Sequence, residues 1–252
     1  MNILYLITAD LNIGGAQKDI VAFTSELTRK GHKIVVACRG GGTLEKDIVN
    51  LGAKYHNVDC HFRSFPSLLN TVKNISKIIY DEKIDIIAPQ SIRTSIAAFL
   101  ANRKNKKPII TTIHNVGLSL YAFVYGVILT ITSDLIIFES EYEQRRLICS
   151  GLNRHKTVVV HSGIDLERFK PQPKDNVLLE KIGFHPDNFI IGTLARLSAE
   201  KGQKYLIEAM KRVKLLAPQA KLMIVGDGPL KETLMSQSEQ LGLKNDIKFL
   251  GE

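Results

Sequence analysis

Runs rich in Ile and Val alternate along the chain with segments whose apolar residues recur at helical spacing. That pattern predicts a parallel sheet with helices on both faces. Strands are predicted near residues 2 to 8, 33 to 38, 53 to 58, 84 to 88, 109 to 113, 134 to 138 and 157 to 161, then 189 to 195, 220 to 225 and 246 to 250. Most are nearly continuous apolar runs, as expected where a strand is buried on both sides. Between the first two, Ala16, Ile20, Phe23 and Leu27 predict a crossover helix that Gly31 ends. After Lys201, the positions Leu206, Ala209, Met210, Val213 and Leu216 predict another, closed by Pro218.

The stretch from Phe169 to Asn188 carries Pro171, Pro173 and Pro186 among charged residues, with a short helix around Val177 to Ile182. The domain boundary is placed there, giving domains 1–170 and 171–252. Seven strands precede it and three follow. Doubly wound domains are commonly built from two three-stranded halves, so the second domain reads as incomplete. The segment Leu118 to Ile131, with Tyr121, Phe123 and Tyr125, is strongly apolar but too short to span a bilayer. Its expected form is a buried helix, the alternative being an interfacial helix that touches lipid.

Composition narrows the classes. At 252 residues and 44% hydrophobic the chain is globular and long enough for two cores. Met1 to Ile7 lacks both a basic flank and a small-residue cleavage site, so it reads as a strand and not a signal peptide, which places the expected location in the cytoplasm. Cys38, Cys60 and Cys149 are widely spaced with no Cys-x-x-Cys pair, which argues against a disulfide framework and a structural zinc site. The net charge of +9 favours an anionic partner: a phosphate-bearing small molecule, nucleic acid or the anionic face of a membrane. The basic run Arg103-Lys104-Asn105-Lys106-Lys107 has no interleaved aromatics on which bases could stack, so nucleic acid is the weakest candidate of the three.

Four strand ends carry candidate chemistry. The strand ending at Ala195 runs into Arg196-Leu197-Ser198-Ala199-Glu200-Lys201-Gly202. An Arg fork, a compact Lys charge and the free N–H groups of the next helix together form a grip for a diphosphate, although two cations flanking a turn are also what a solvated turn carries. Gly14 and Gly15 follow the first strand and let a ligand approach the next helix closely, yet the Gly-x-Gly-x-x-Gly fingerprint is absent. The second strand ends at Cys38-Arg39 where a ribose-binding carboxylate would be needed, which argues against an NAD-dependent oxidoreductase. His114 stands at the end of a central strand before Asn115-Val116-Gly117, and Gly226-Asp227-Gly228-Pro229 forms a strand-to-helix turn.

Taken in order, Gly14-Gly15-Ala16, His114, Ser162-Gly163-Ile164-Asp165 with Phe169 and Pro171, the Arg196 to Gly202 segment and Gly226-Asp227-Gly228-Pro229 resemble a family 4 glycosyltransferase. The resemblance runs the length of the chain and includes Phe249-Leu250-Gly251-Glu252. It implies a GT-B architecture of two Rossmann-like domains facing each other across a cleft, the second incomplete here, and retaining transfer without a metal or other cofactor. By similarity the nucleotide sugar is held by Arg196 and Lys201 with Gly192, Gly226 and Asp227. Gly14 and Gly15 approach the same phosphates, and His114 hydrogen-bonds the transferred sugar. The expected acceptor is a glycan or lipid-linked molecule, reached through a peripheral contact with an anionic membrane at its cytoplasmic face.

Ser162 stands where the family usually has Asn, and Gln90 where a His is common. A Glu-x7-Glu motif is expected further along the C-terminal domain, beyond residue 252. Read as a fragment, the chain is expected to self-associate through its incomplete domain. A non-catalytic remnant and a nucleotide-sugar epimerase of the same architecture are the rival readings.

Overall fold

The first strand sets the plan of the N-terminal unit. In the computed structural model, which describes residues 1–8, 11, 14–40, 42–114 and 121–251, the chain runs β1 (Asn2–Leu6), α1 (Gly15–Arg29), β2 (Lys33–Cys38), α2 (Glu45–Asn50), β3 (Lys54–Asn57), α3 (Phe65–Asp81), β4 (Ile86–Pro89), α4 (Ile92–Ala101), β5 (Ile110–Ile113), α5 (Ala122–Thr132), β6 (Leu135–Phe138), α6 (Glu141–Cys149) and β7 (Thr157–Val159). Leu4 and Leu6 of β1 point into a core with Val35, Ala37, Ile75, Ile79 and Ile87. The intervening Ile3, Tyr5 and Ile7 enter a second core with Ile20, Ile34, Val36 and Ile48. This alternation is the two-residue period of a strand buried on both faces.

All strand pairings are parallel, in the orders β3-β2-β1-β4 and β5-β6-β7, and a bridge between Ile87 and Ile109 joins the two sets. The result is a doubly wound sheet whose winding reverses between β1 and β4. Serine side chains cap three of its helices: Ser64 for α3, Ser91 for α4 and Ser140 for α6. Each satisfies an N–H that the first turn leaves open.

The second unit contains α7 (Asn176–Lys181), β8 (Phe189–Leu194), α8 (Gln203–Leu216), β9 (Ala220–Val225), α9 (Lys231–Gln240) and β10 (Ile247–Gly251). Its three strands are parallel in the order β10-β9-β8, around Leu197, Ile207, Met210, Leu222, Ile224 and Leu234. The units divide at Ile164 and Asp165. That is a little before the proline-rich stretch, at a turn where the Asp165 carboxylate accepts the N–H groups of Glu167 and Arg168.

All ten strands form where the apolar runs predict them, whereas three helix faces differ from expectation. Phe23 is exposed, since the inward stripe of α1 is rotated toward Ile20, the fully buried Thr24 and Leu27. In α8 the stripe runs through Gln203, Ile207 and Met210, and Ala217 turns back onto the core in place of Leu216, which leaves Ala209 and Leu216 exposed. The apolar segment forms α5, buried through Gly126, Leu129 and Thr132 on one side only. Phe123, Val124, Val127 and Ile131 stay exposed on the other. Residues 118–120 of that segment lie outside those described. Among the described residues, no helix is long and apolar enough to cross a membrane.

At the opposite end of the first sheet from its strands' carboxyl termini, Glu82 is nearly buried and binds Lys33 at 3.0 Å and Lys54 at 2.9 Å. These bonds, that to Lys54 foremost, pull its carboxyl from the ordinary 4.5 down to about 2. A depressed carboxyl adds stability above its unfolded value, and that stability is lost as pH falls from 4.5 toward 2. Glu82→Gln is therefore expected to cost about 2 kcal/mol at neutral pH and to flatten the acid limb of the stability profile. Urea titrations between pH 7 and pH 2 measure both effects, and an unchanged acid limb would refute the assignment.

Candidate functional site

The first unit gathers polar residues at the carboxyl ends of its central strands. Gln90, His114 and Glu139 each follow directly on β4, β5 and β6, and Thr8 lies just past β1. Two-sided burial leaves little room for such side chains within the strands, so they collect where the backbone leaves the sheet. His114 Nδ1 meets Glu139 Oε1 at 2.8 Å and its Nε2 meets Gln90 Oε1 at 3.1 Å. The Gln90 amide nitrogen donates to the Ala88 carbonyl, which fixes its oxygen toward the ring. Both ring nitrogens thus face acceptors, an arrangement for a hydrogen-bonding residue and not for a base with a free lone pair.

Ser162 donates to the same Glu139 oxygen at 3.1 Å, so Gln90 and Ser162, the two departures from the family pattern, both belong to the surroundings of His114. Asp19 joins from α1. Its carboxyl is held above the ordinary range, first by burial and then by the charge of Glu139, against a smaller opposing pull from His114. Ligand atoms of Asp19, His114 and Glu139 lie within 4.8 Å of one another, close enough to hold a cation. Glu139 is nevertheless already engaged by both His114 and Ser162.

Gly14 caps α1 in an extended conformation open to any residue, at φ −161°. A Cβ on Gly15 would meet nothing within 4 Å, so the glycine leaves open space at the start of the helix. Asn115, Val116 and Gly117, which follow His114, lie outside the described residues.

In the second unit, β8 leads into a 3-10 turn over Ala199–Lys201, and Gly202 at φ 69° starts α8. Leu197 and Ser198 are buried beneath this turn, while Arg196 and Lys201 are exposed. Neither cation makes a side-chain hydrogen bond or ion pair among the described residues. The backbone of the turn, by contrast, is fixed: Gln203 donates to the Arg196 carbonyl at 2.9 Å and the Leu197 N–H donates to the Asp227 carbonyl at 2.9 Å.

The loop after β9 supports the turn at close range. A Cβ on Gly226 would lie 2.1 Å from the Ala195 carbonyl oxygen and one on Gly228 2.5 Å from that of Leu197, so glycine is required at both. Asp227 accepts from the Gly228 N–H and from Lys231 at 2.8 Å, and its carboxyl is held low by Lys231 first. It organises its own loop. Gly192 is paired with Met223 inside β8, two residues before the strand's end.

The sequence model of Glycosyltransferase Family 4 matches residues 13–168 and that of Glycosyl transferases group 1 matches residues 175–252. The chain belongs to glycosyltransferase family 4. It is 25% identical to a GDP-mannose-dependent alpha-(1-6)-phosphatidylinositol monomannoside mannosyltransferase of Mycolicibacterium smegmatis, over 94% of this chain and 63% of that protein. It is 27% identical to the UDP-Gal:alpha-D-GlcNAc-diphosphoundecaprenol alpha-1,3-galactosyltransferase of Escherichia coli, over 73% of this chain and 52% of that protein. The chain thus spans little more than half the length of these relatives. Among solved structures, HepE of Anabaena in complex with UDP-glucose aligns with TM-score 0.82 at 23% identity, over 100% of this chain and 69% of that one. This likeness, together with the parallel sheets, shows the Rossmann-like GT-B fold.

Asp19 and Glu139 escaped sequence reading because their meaning depends on contact with His114, far away in the chain. Their only local signals are a polar residue one turn into α1 and another at the end of a buried strand. A carboxyl raised by the fold favours the native state while protonated, and that contribution is lost as pH rises through its folded value. Asp19→Asn is accordingly expected to raise the melting temperature at pH 7, with the gain disappearing below the ordinary aspartate value of 3.8. Calorimetry at the two pH values checks it; a lower melting temperature at pH 7 would contradict the pairing.

Proposed function

We propose that this family member transfers a sugar, with retention of configuration, from a nucleoside diphosphate donor to a glycan or lipid-linked acceptor in cell-surface polysaccharide or glycolipid synthesis. The observation that carries the reading is the pair of unpartnered cations, Arg196 and Lys201, on the rigid turn after β8. A fixed backbone carrying two exposed cations without an ion pair is preorganised for an anion, even with Glu200 nearby, and two cations on one turn suit a diphosphate. They would stabilise the charge that develops on the leaving nucleotide, with no metal in that role. His114, anchored by Glu139, would orient the sugar by exchanging its contact with Gln90 for one to the sugar.

The acceptors named for the two relatives above are both lipid phosphates, which favours a lipid-linked acceptor here. The exposed face of α5 supports peripheral membrane contact. Phe123, Val124, Val127 and Ile131 lie exposed along it, and the turn carrying Arg103, Lys106 and Lys107 shares a surface concavity with Ile131. Apolar residues beside a basic rim match the interface of an anionic bilayer. On this reading the protein works at the cytoplasmic face of the membrane.

Arg196→Ala and Lys201→Ala are each expected to weaken binding of UDP or GDP by about ten- to a hundredfold, the loss of one charge-assisted contact, without lowering the melting temperature. Calorimetric titration measures this, and unchanged affinity in both variants would overturn the assignment. Turnover with a nucleotide sugar separates the rival readings: conversion of the donor without acceptor marks an epimerase, and binding without any conversion a remnant. The double variant Phe123→Ser with Ile131→Ser is expected to reduce cosedimentation with phosphatidylglycerol vesicles roughly tenfold. Undiminished cosedimentation would exclude α5 as the contact.

A further inference from the structure

A second unneutralised cation lies in the first unit. A cavity of about 500 Å³ opens at the carboxyl ends of β4 and β5, lined by Thr8, Phe62, Gln90, Arg93, His114 and Tyr125 among others. Arg93 projects from the first turn of α4, with its guanidinium 5.6 Å from the centre of the Phe62 ring. Its Nη1 is buried without a hydrogen-bond partner, and among the described residues the side chain makes no ion pair. Among the described residues no Asp or Glu lines the cavity, whereas His61, Arg93 and His114 do.

A buried guanidinium N–H left unmatched costs about 1–3 kcal/mol, so an acceptor entering the cavity would gain that contact at Nη1. The Phe62 ring lies 5.6 Å from the guanidinium carbon, a cation–π contact that leaves the planar fork's donors available for an oxyanion. At the Arg93 end of the cavity, away from the Glu139 carboxylate, the charge favours an anion. Tyr125 and Ile128, which line the cavity, lie on α5, the helix whose opposite face exposes Phe123, Val127 and Ile131.

We propose that this cavity seats the phosphate group of the acceptor, and that Arg93 is the residue that selects a phosphate-bearing acceptor over a neutral one. The proposal rests on the transferase reading above and adds the chemical class of its acceptor. Arg93 acts as a binding residue that grips the phosphate, distinct from the donor grip at Arg196 and Lys201. His114 at the inner wall would then face the sugar or alcohol that receives the transferred group.

The test is a binding experiment that does not depend on turnover. Protein labelled with ¹⁵N-arginine is titrated with inorganic diphosphate and, separately, with dihexanoyl phosphatidic acid below its micelle concentration, with dihexanoylglycerol as the neutral control. The Arg93 Nε resonance, assigned by its absence in Arg93→Gln, is expected to shift with a phosphate probe and not with the neutral lipid. Arg93→Gln should weaken that binding at least tenfold at an unchanged melting temperature, and Arg93→Lys should recover part of it. Arg196→Ala with Lys201→Ala should leave the Arg93 shift intact while losing UDP. That contrast separates failure of this proposal from failure of the donor site.

A shift with phosphatidic acid alone supports a lipid-borne phosphate, and equal shifts with inorganic diphosphate support a soluble phosphate ester. The proposal is overturned if neither probe moves the Arg93 resonance, or if Arg93→Gln binds both as tightly as the unaltered protein.

Discussion

Burial of the parallel strands on both faces is the constraint from which the rest of the first unit follows. Once Ile3, Tyr5 and Ile7 fill one core and Leu4 and Leu6 the other, little polar chemistry can lie along β1 itself. Unpaired polar groups there would lose their hydration with nothing in return. The chain meets this by changing character at the strand ends. Gln90, His114 and Glu139 each occupy the first position after an apolar strand, and the order β1-β4-β5-β6 brings those positions side by side. Proximity of residues far apart in sequence is thus a product of sheet order, and the winding reversal between β1 and β4 opens space in front of them.

The same constraint explains what could be read without coordinates. Strands were legible because a buried parallel strand is a continuous Ile and Val run, readable at single-element length. Helix faces were less so, since a stripe of apolar residues fixes a face only to within about one position of the 100° step. Phe23 and Leu216 fit the period yet lie outside the core, displaced by Thr24 and Ala217. The turn carrying Arg196 and Lys201 was legible as a strand-to-helix junction because its position is local, while its support by the Gly226 to Gly228 loop comes from a later strand. Asp19, Glu139 and Arg93 were not, because each gains meaning from an element distant in the chain: α1 against β5 and β6, or α4 against Phe62.

The distribution of neutralised and unneutralised cations separates scaffold from site. Lys33 and Lys54 are matched by Glu82, Lys214 and Lys221 by Asp246, and Lys231 by Asp227. Each of these pairs ties together elements of one unit or closes a turn. Arg93, Arg196 and Lys201 have no such match among the described residues, although each sits on well-supported backbone at the start of a helix or the end of a strand. A net charge of +9 alone would be compatible with any anionic surface. The placement of these three on supported backbone beside strand ends is more specific, since a cation that serves only solubility needs no fixed support. Two such positions, one in each unit, are what the proposed transfer between two phosphate-bearing molecules, one as donor and one as acceptor, would call for.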